Sequence, residues 1–203
     1  MKRLILIRHA TTISNEKKVL SGRIEAKISE KGLLEIDSLN KKLDELFLKK
    51  GISIDKIYTS NSKRTEDTIK EFACKNNIQI KKIEGLSEID FGDFEGKDFE
   101  YIKKEYPIEY KKLCEEGFEY KYPNGENAID AYEKNKKAID FIVDDIIENQ
   151  TAIICAHGGS IRNILSYLIN KTYKNHWNFK ISNAKITIVE IDFGFPVLTK
   201  LNL

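Results

Sequence analysis

Cysteine is scarce in this sequence of 203 residues, and the three that occur, Cys74, Cys114 and Cys155, stand far apart. Their spacing excludes a C-x-x-C metal pair and a dense disulfide framework, and it favours a protein that works in a reducing cytoplasm. Long apolar runs are also missing, because no stretch approaches the ~18–20 residues of a membrane-spanning helix. The apolar run at residues 4–7 is too short for the core of a signal peptide. We therefore expect a cytoplasmic chain with no membrane partner.

An excess of charge of one sign is absent as well. The formal net charge of +2 is too small to attract nucleic acid, so we expect no nucleic-acid partner. There are only three prolines and no low-complexity linker, which predicts a single domain over residues 1–203. Arginine is rare too, and its positions are informative because a guanidinium binds phosphate oxygens through a rigid fork. The five arginines are Arg3, Arg8, Arg23, Arg64 and Arg162.

The rest of the sequence alternates between strand-like and helix-like segments. Apolar runs typical of buried strands occupy residues 3–8, 54–59, 78–83, 151–156, 185–191 and 196–201. Helical periodicity lies between them, within 129–146, within 161–168 and in a helix that Ser29 would cap and Gly51 would end. The apolar face of that last helix comprises Ile36, Leu39, Leu43, Leu46 and Phe47. This alternation predicts an α/β fold with three α/β/α layers around a mainly parallel central sheet.

Ligands bind beyond the carboxyl ends of the strands in a sheet of this kind. The first strand runs into Arg8 and His9, the second is followed by Ser60 and Arg64, and the fourth by His157. Two guanidiniums around two imidazoles suit a phosphoryl group, whose charge is spread over three oxygens. The neighbouring positive charges should keep His9 neutral, which leaves a ring nitrogen free to attack phosphorus.

Displacement at phosphorus also needs a proton donor for the leaving oxygen. One carboxyl group, kept partly protonated beside apolar neighbours in the segment LSEIDFGDFEG at residues 86–96, would serve as the general acid. Residue types alone do not choose among Glu88, Asp90, Asp93 and Glu95. Gly158 and Gly159 are expected to open a helix whose first amides point toward an anion.

Five motifs in this chain resemble those of the histidine phosphatase superfamily, which has the phosphoglycerate mutase-like fold. The superfamily's R-H-G-E-T-x-x-N motif is similar to residues 8–15, and its G-x-x-D-x-x-L-T-x-x-G motif to residues 22–32. Its S-x-x-x-R-x-x-x-T motif resembles residues 60–68, its L-x-E-x-x-F-G-x-x-E-G motif residues 86–96, and its H-G-G-x-I-R motif residues 157–162. The motifs follow in family order over nearly the whole chain.

The resemblance implies a role for each matching residue. His9 would be the nucleophile that becomes phosphohistidine, and Glu88 would be the proton donor. Arg8, Arg64 and His157 would complete the catalytic set by holding the phosphoryl oxygens. Further contacts to phosphate and substrate would come from Asn15, Ser21, Gly22 and Gly158. The resemblance implies no metal and no cofactor, and it implies a small helical cap, over about residues 92–125, that determines the substrate.

Two residues beside His9 depart from the family pattern, because Ala10 and Thr11 stand where the family has Gly and Glu. Ala10 is harmless if its φ is negative, whereas Thr11 removes the family's anion, so any orienting role of that carboxylate is absent. Together with a short segment after Glu95, these departures place the chain nearer the small phosphatases, alpha-ribazole phosphatases among them. We expect a phosphomonoesterase that acts on a small phosphorylated substrate, with alpha-ribazole phosphate a candidate and a cofactor-dependent phosphoglycerate mutase as the alternative.

Other interpretations stay open. A zinc hydrolase would use His9, His157 and a carboxylate, although the arginines oppose a dication; a phosphate-binding module would need no nucleophile. The oligomeric state is open, with a homodimer as one candidate. Arg162 is expected on a helix surface and His176 in a packing or surface position. One group of aromatic residues would either line a substrate mouth or pack the cap, and packing is favoured; its members are Phe91, Phe94, Phe99, Tyr101, Tyr106 and Tyr110.

Overall fold

A computed structural model describes the backbone of residues 1–203 and every side chain except those of residues 47, 49 and 50. The strands are β1 (Lys2–Arg8), β2 (Lys56–Thr59), β3 (Ile80–Lys82), β4 (Thr151–Ala156), β5 (Ile186–Asp192) and β6 (Phe195–Lys200). The helices are α1 (Ile13–Glu16), α2 (Glu30–Lys50), α3 (Lys63–Lys75), α4 (Phe99–Glu105), α5 (Pro107–Glu116), α6 (Ala128–Asp145) and α7 (Gly158–Asn170). Each predicted strand is present, with its bounds no more than about two residues from those expected.

The six strands form one sheet in the order β3-β2-β4-β1-β5-β6. Strands β3, β2, β4 and β1 are parallel, whereas β5 and β6 are added in antiparallel fashion. The register pairs Arg8 at the end of β1 with Ala156 at the end of β4. The residues that follow β1, β2 and β4 therefore meet at one edge of the sheet.

Helices cover both faces of the sheet, as the sequence predicted. Leu4 and Leu6 point to one face, where they join an apolar cluster with α6 and α7. Ile5 and Ile7 point to the other face and join a cluster with α2 and α3. The fold is therefore a three-layer α/β/α arrangement around a mainly parallel sheet.

Helix α2 packs closely against the segment that follows His9. Its N-cap is Ser29, whose Oγ accepts a hydrogen bond from the Gly32 amide at 3.2 Å, and Gly51 ends it with a left-handed φ of 60°. A Cβ atom at Gly32 would lie 2.1 Å from the carbonyl oxygen of Thr11, so only glycine allows this approach. The predicted buried face is confirmed at Ile36, Leu39, Leu43 and Leu46, while the side chain of Phe47 lies outside the described residues.

Residues 92–125, which we call the cap segment, contain α4 and α5. They pack around a third apolar cluster whose buried members are Phe94, Ile102, Tyr120 and Tyr122. In the part of the chain that the structure describes, no helix combines the length and the hydrophobicity that crossing a membrane requires.

Candidate active site

The topology brings His9 and His157 together. His9 follows β1 and His157 follows β4, the strand that pairs with β1. Their imidazole rings meet edge to face with centroids 5.3 Å apart, and both side chains are buried. The two predicted histidines thus form one contact pair at the carboxyl edge of the sheet.

Hydrogen bonds assign the tautomer of each ring. Nδ1 of His9 lies 2.8 Å from the carbonyl oxygen of Ala10. A carbonyl only accepts, so Nδ1 carries the proton and Nε2 of a neutral His9 keeps its lone pair. Nδ1 of His157 accepts from Nε of Arg64 at 3.3 Å, and its Nε2 therefore donates to Oγ of Ser60 at 2.8 Å.

Burial is the main reason that both imidazoles are neutral. It lowers the pKa of His9 to about 3, and the charges of Arg64 and Arg8 add to the shift. Burial also lowers the pKa of His157 well below its ordinary value, again with a contribution from Arg64. The sequence predicted a neutral His9 from the arginines alone; the direction is confirmed, but desolvation contributes more than charge.

The Arg64 guanidinium holds the loop that precedes α2. It is 1% exposed and lies in the first turn of α3. Its Nη1 donates to the Ile24 carbonyl at 2.9 Å, and its Nη2 donates to the carbonyls of Gly22 at 2.8 Å and Ser21 at 3.2 Å. The Ser21 hydroxyl oxygen is buried without a hydrogen-bond partner among the described residues. Ser21 and Gly22, both predicted to lie near the substrate, are therefore tied to Arg64.

Arg8 lies beside the start of α7. Its Nη1 donates to the Ile181 carbonyl at 2.8 Å, and its Nε is buried without a partner among the described residues. A Cβ atom at Gly158 would stand 3.2 Å from that Nε, so the glycine makes room for the guanidinium. Burial lowers the pKa of Arg8, and the charges of Glu88 and Glu35 oppose this shift.

Glu88 reaches the same helix terminus. Its carboxylate accepts from the Gly159 amide at 2.9 Å and from the Ile89 amide at 3.1 Å. A Cβ atom at Gly159 would lie 2.2 Å from Oε1 of Glu88, so this contact requires glycine. The first amides of α7 meet the carboxyl group of Glu88, one of the protein's own side chains, at the helix terminus where an anion was expected.

Asn15 is connected to His9 through Asn183, a residue that the sequence reasoning missed. Asn183 donates through Nδ2 to the His9 carbonyl at 2.9 Å and to Oδ1 of Asn15 at 3.2 Å. Asn15 also forms a capping box with Thr12 at the start of α1. The network fixes the backbone from the predicted nucleophile to the start of α1.

Thr11 removes the family's carboxylate at its own position, but a carboxylate from another element lies beside it. Glu35 of α2 accepts from the Thr11 amide at 2.8 Å and from the Thr11 hydroxyl at 2.9 Å. The expectation for Ala10 is confirmed, because its φ is not positive and its side chain is fully buried.

Glu95 fastens two loops together. Its carboxylate accepts from the amides of Gly22, Arg23 and Phe91 at 2.9–3.2 Å. A Cβ atom at Gly22 would lie 1.9 Å from the Ile89 carbonyl oxygen, so the two loops touch at this glycine. Of the four carboxylates that the sequence left open, Glu95 is therefore engaged by backbone amides away from α7, whereas Glu88 lies at the helix terminus.

A cavity of about 560 Å³ opens between the cap segment and this edge of the sheet. Arg8, Glu88, Gly158 and Gly159 form its wall on the side of the histidines. Its other walls combine aliphatic and small residues with seven aromatic side chains, Phe91, Phe99, Tyr110, Phe118, Tyr120, Tyr122 and Trp177. Both roles expected of the cap aromatics occur: Phe94 is buried in the cap cluster, and Phe91 and Tyr110 pack against that cluster and also line the cavity. Phe99 lines the cavity.

Arg162 also lines the cavity, so the expectation that it faces a helix surface is wrong. Its Nε donates to the Phe179 carbonyl at 3.0 Å, and its guanidinium carbon lies 4.9 Å from the centroid of the Trp177 ring. No carboxylate among the described side chains lies within ion-pair distance of it. His176, expected in a packing or surface position, is buried, bonds Asn163 through Nδ1 at 2.7 Å and also lines the cavity.

No group of three His, Cys, Asp or Glu side chains in the described part of the chain is arranged to hold a metal ion.

The α/β sheet and the paired histidines and arginines at its edge define the architecture of a phosphoric monoester hydrolase. The chain belongs to the histidine phosphatase superfamily (branch 1), whose family model matches residues 4–203. The sequence-based prediction of the superfamily, its fold and its phosphatase class is confirmed at this level.

Individual relatives have different activities. The chain is 28% identical to phosphoserine phosphatase 1 of Hydrogenobacter thermophilus, over 100% of this chain and 93% of that one. It is 27% identical to the 2,3-bisphosphoglycerate-dependent phosphoglycerate mutase of Bartonella tribocorum, over 98% of this chain and 92% of that one. Among solved structures, the alpha-ribazole phosphatase of Shigella flexneri matches with a TM-score of 0.89 at 23% identity, over 99% of this chain and 96% of that one. That last likeness shows the fold alone.

Proposed function

We propose that this chain is a phosphomonoesterase that transfers the phosphoryl group of a small metabolite to Nε2 of His9 and then to water. The observation that carries the proposal is the hydrogen bond from Nδ1 of His9 to the Ala10 carbonyl in a buried, neutral ring. It leaves the Nε2 lone pair available at the edge where Arg8, Arg64 and His157 meet. A neutral imidazole beside two guanidiniums is matched to an anionic electrophile.

In the first step Nε2 of His9 forms a bond to phosphorus as the ester P–O bond breaks. Glu88, protonated at this stage, gives its proton to the leaving oxygen, which departs as an alcohol. Arg8 and Arg64 would hold the phosphoryl oxygens, with further donors in Asn15, the Ser21 hydroxyl and the Gly158 amide. His157 would join them by turning its one N–H, at Nε2, from the Ser60 hydroxyl to a phosphoryl oxygen. Gly22 would allow the loop that carries Ser21 to lie close to the phosphoryl group.

In the second step water attacks the phosphohistidine. The Glu88 carboxylate accepts a proton from the water, the P–N bond breaks, and His9 recovers its Nε2 lone pair as phosphate leaves. Glu88 is thereby reprotonated for the next turnover. The contacts of Glu88 with the Gly159 and Ile89 amides support this role, because they fix the carboxyl group at the cavity wall.

The cavity supports a bulky leaving alcohol. Since Glu88 protonates the leaving oxygen and also lines the cavity, the alcohol should lie on the cavity side. Its volume of about 560 Å³ falls in the range of sites for drug-sized ligands, and a serine or glycerate group would leave most of it to water. Aromatic walls favour a ring-bearing alcohol, which supports alpha-ribazole phosphate as a candidate substrate.

A phosphoglycerate mutase remains the second candidate because a mutase is among the full-length relatives. The two functions differ in the acceptor, which is water in one and a second hydroxyl in the other. A panel of alpha-ribazole 5′-phosphate, phosphoserine and 3-phosphoglycerate, the last with its bisphosphate activator, separates them. We expect release of inorganic phosphate with the ring-bearing ester as the best substrate; isomerisation of 3-phosphoglycerate faster than any phosphate release would overturn the proposal.

We also propose that turnover needs no metal and takes place in the cytoplasm. Arg8 and Arg64 place two positive charges where a dication would have to bind, so the same panel should give unchanged rates in excess chelator. The three free cysteines, two of them exposed, suit a reducing compartment.

A further inference from the structure

One peptide unit stands between His9 and a carboxylate. The carbonyl of Ala10 accepts the Nδ1 proton of His9 at 2.8 Å, and the amide of Thr11, the other end of the same peptide group, donates to Oε2 of Glu35 at 2.8 Å. Ala10 and Thr11 are buried, and α2 carries Glu35 to this point from the far side of the loop. The three groups therefore form a chain from carboxylate to peptide to imidazole.

We propose that Glu35 is a positioning residue for the nucleophile and that it acts on His9 through the Ala10–Thr11 peptide. The inference rests on the proposed function, since it assumes that His9 attacks phosphorus. Glu35 would thereby fix the tautomer of His9. It lies on helix α2, and no feature of the sequence singled it out.

The physical basis is polarisation of the peptide group. An anion that accepts from the Thr11 N–H pushes electron density through the peptide group toward the Ala10 oxygen. That oxygen then accepts more strongly from Nδ1–H of His9. That favours the tautomer with a free Nε2. When Nε2 bonds to phosphorus the ring becomes cationic while Nδ1 keeps its proton, so the same carbonyl stabilises the charge as it forms.

The main partner of the Glu35 carboxylate is Thr11. Lys31 is its one ion-pair partner among the described residues, at 3.9 Å and with an exposed ammonium group, so that pair is weak. Both carboxylate oxygens are instead engaged by Thr11. Burial lowers the pKa of Arg8, and Glu35 is one of two carboxylates whose charge opposes that shift, so its field reaches the site.

Thr11 provides a matched control because its two bonds to Glu35 differ in kind. The hydroxyl bond joins α2 to the loop without involving the peptide, whereas the amide bond belongs to the chain that ends at His9. Thr11→Val removes the first and keeps the second. Glu35→Gln keeps an oxygen acceptor of the same shape but removes the negative charge.

The first test uses the unaltered protein. Nitrogen-15 NMR of the His9 imidazole at neutral pH should show a protonated Nδ1 and an unprotonated Nε2. A ring protonated on Nε2 would overturn the inference without any variant. In Glu35→Gln the same spectrum should move toward a mixture of the two tautomers, and an unchanged spectrum would also overturn it.

The second test compares steady-state rates on p-nitrophenyl phosphate. Glu35→Gln should lower kcat roughly tenfold, the loss expected when a hydrogen bond to a charged acceptor is replaced by one to a neutral acceptor, with KM little changed. Thr11→Val should keep kcat within about twofold, since the peptide bond to Glu35 survives. Equal losses of kcat in both variants, matched by equal losses of thermal stability, would show that Glu35 only anchors α2 and would overturn the inference.

Trapping the phosphoenzyme separates this inference from the proposed function. If the unaltered protein forms no phosphohistidine, the proposed function fails and takes the inference with it. If phosphohistidine forms at the same rate in Glu35→Gln and in the unaltered protein, only the inference fails. Slower formation in Glu35→Gln, with the phosphoryl group still on His9, supports both.

Discussion

Oγ of Ser60 lies 2.8 Å from Nε2 of His157 and accepts a hydrogen bond from it, while Nδ1 of the same ring accepts a hydrogen bond from Arg64. Both nitrogens of a fully buried imidazole are thus satisfied by groups from the loop after β2 and from α3. The orientation of His157 beside His9 depends on this pair of contacts.

Replacing Ser60 should therefore impair both stability and turnover. Ser60→Ala leaves the buried Nε2–H of His157 without an acceptor, which should lower the free energy of unfolding by about 1–3 kcal/mol and lower kcat. Ser62→Ala is the matched control, because Ser62 stands at the N-cap of α3 but its side chain makes no capping hydrogen bond. Urea unfolding and kcat on one aryl phosphate check both variants; equal effects of the two substitutions would contradict the assignment.

The buried histidines should make the protein sensitive to acid. The pKa of His9 falls from 6.5 in the unfolded chain to about 3 in the fold, so between these values the unfolded chain binds more protons. The contribution of neutral His9 to the free energy of unfolding should be fully present above pH 6.5 and should be lost as the pH falls toward 3. Between pH 8 and pH 5 this loss should be on the order of 2 kcal/mol. His157 and His176, whose pKa values are also lowered mainly by burial, act in the same direction.

Urea titrations at several pH values measure this dependence. His9→Gln should show a shallower loss of stability between pH 7 and pH 5 than the unaltered protein. Asp145 does not obscure the comparison: hydrogen bonds from Tyr58 and Lys56 lower its pKa to about 2, so its contribution is lost only below this window. Equal slopes in the two proteins would contradict a neutral, buried His9.

Gly159 should be needed to position the general acid Glu88 rather than to stabilise the fold. A methyl group there would lie 2.2 Å from the end of the flexible Glu88 side chain, which can move aside. Gly159→Ala should therefore fold but place the acid wrongly. We expect kcat/KM, which reports the transfer to His9 and not the later hydrolysis, to fall roughly 100-fold for an alkyl phosphate. The loss should be much smaller for p-nitrophenyl phosphate, whose leaving group needs little protonation. Glu88→Gln should show the same dependence on the leaving group; a uniform loss on both substrates would contradict the role of Glu88.

Arg162 should respond to the charge of the substrate. It is a half-buried cation in the cavity that forms no ion pair among the described side chains, although the charge of Glu88 acts on it at longer range. Arg162→Ala should raise KM at least roughly tenfold for a substrate whose leaving alcohol carries a carboxylate, because a charged hydrogen bond is lost. For a neutral ring-bearing ester, KM should change much less. Arg162→Lys, which keeps the charge, should recover part of the loss, and identical KM changes for both substrate types would contradict this.

The sequence predicted most of the fold because its signals are local. Apolar runs locate the strands, and Ser29 and Gly51 mark the ends of α2 through capping and left-handed geometry. The family motifs located His9, His157, Arg64 and Glu88, which the fold brings to one edge of the sheet. Their catalytic roles stay predictions that the experiments above test.

The remainder of the site could not be predicted, because it depends on contacts between elements that are distant in the chain. Asn183 reaches the His9 carbonyl across 174 positions, and Glu35 is one of many charged residues on α2. Arg162 has the spacing of an exposed helix residue. Distant residues such as Trp177 and Phe179, together with the cap segment, place it in a cavity wall. Burial of the histidines, the main cause of their low pKa values, is likewise a property of the assembled layers.

The most direct test of the account is detection of the covalent intermediate. The protein is mixed briefly with p-nitrophenyl phosphate, quenched in alkali, which preserves phosphohistidine, and digested for mass spectrometry. We predict one phosphoryl group on His9, accumulating further in Glu88→Gln because water is then poorly activated, and neither phosphoenzyme nor turnover in His9→Ala. Undiminished turnover in His9→Ala, or a phosphoryl group on any other residue, would contradict the account.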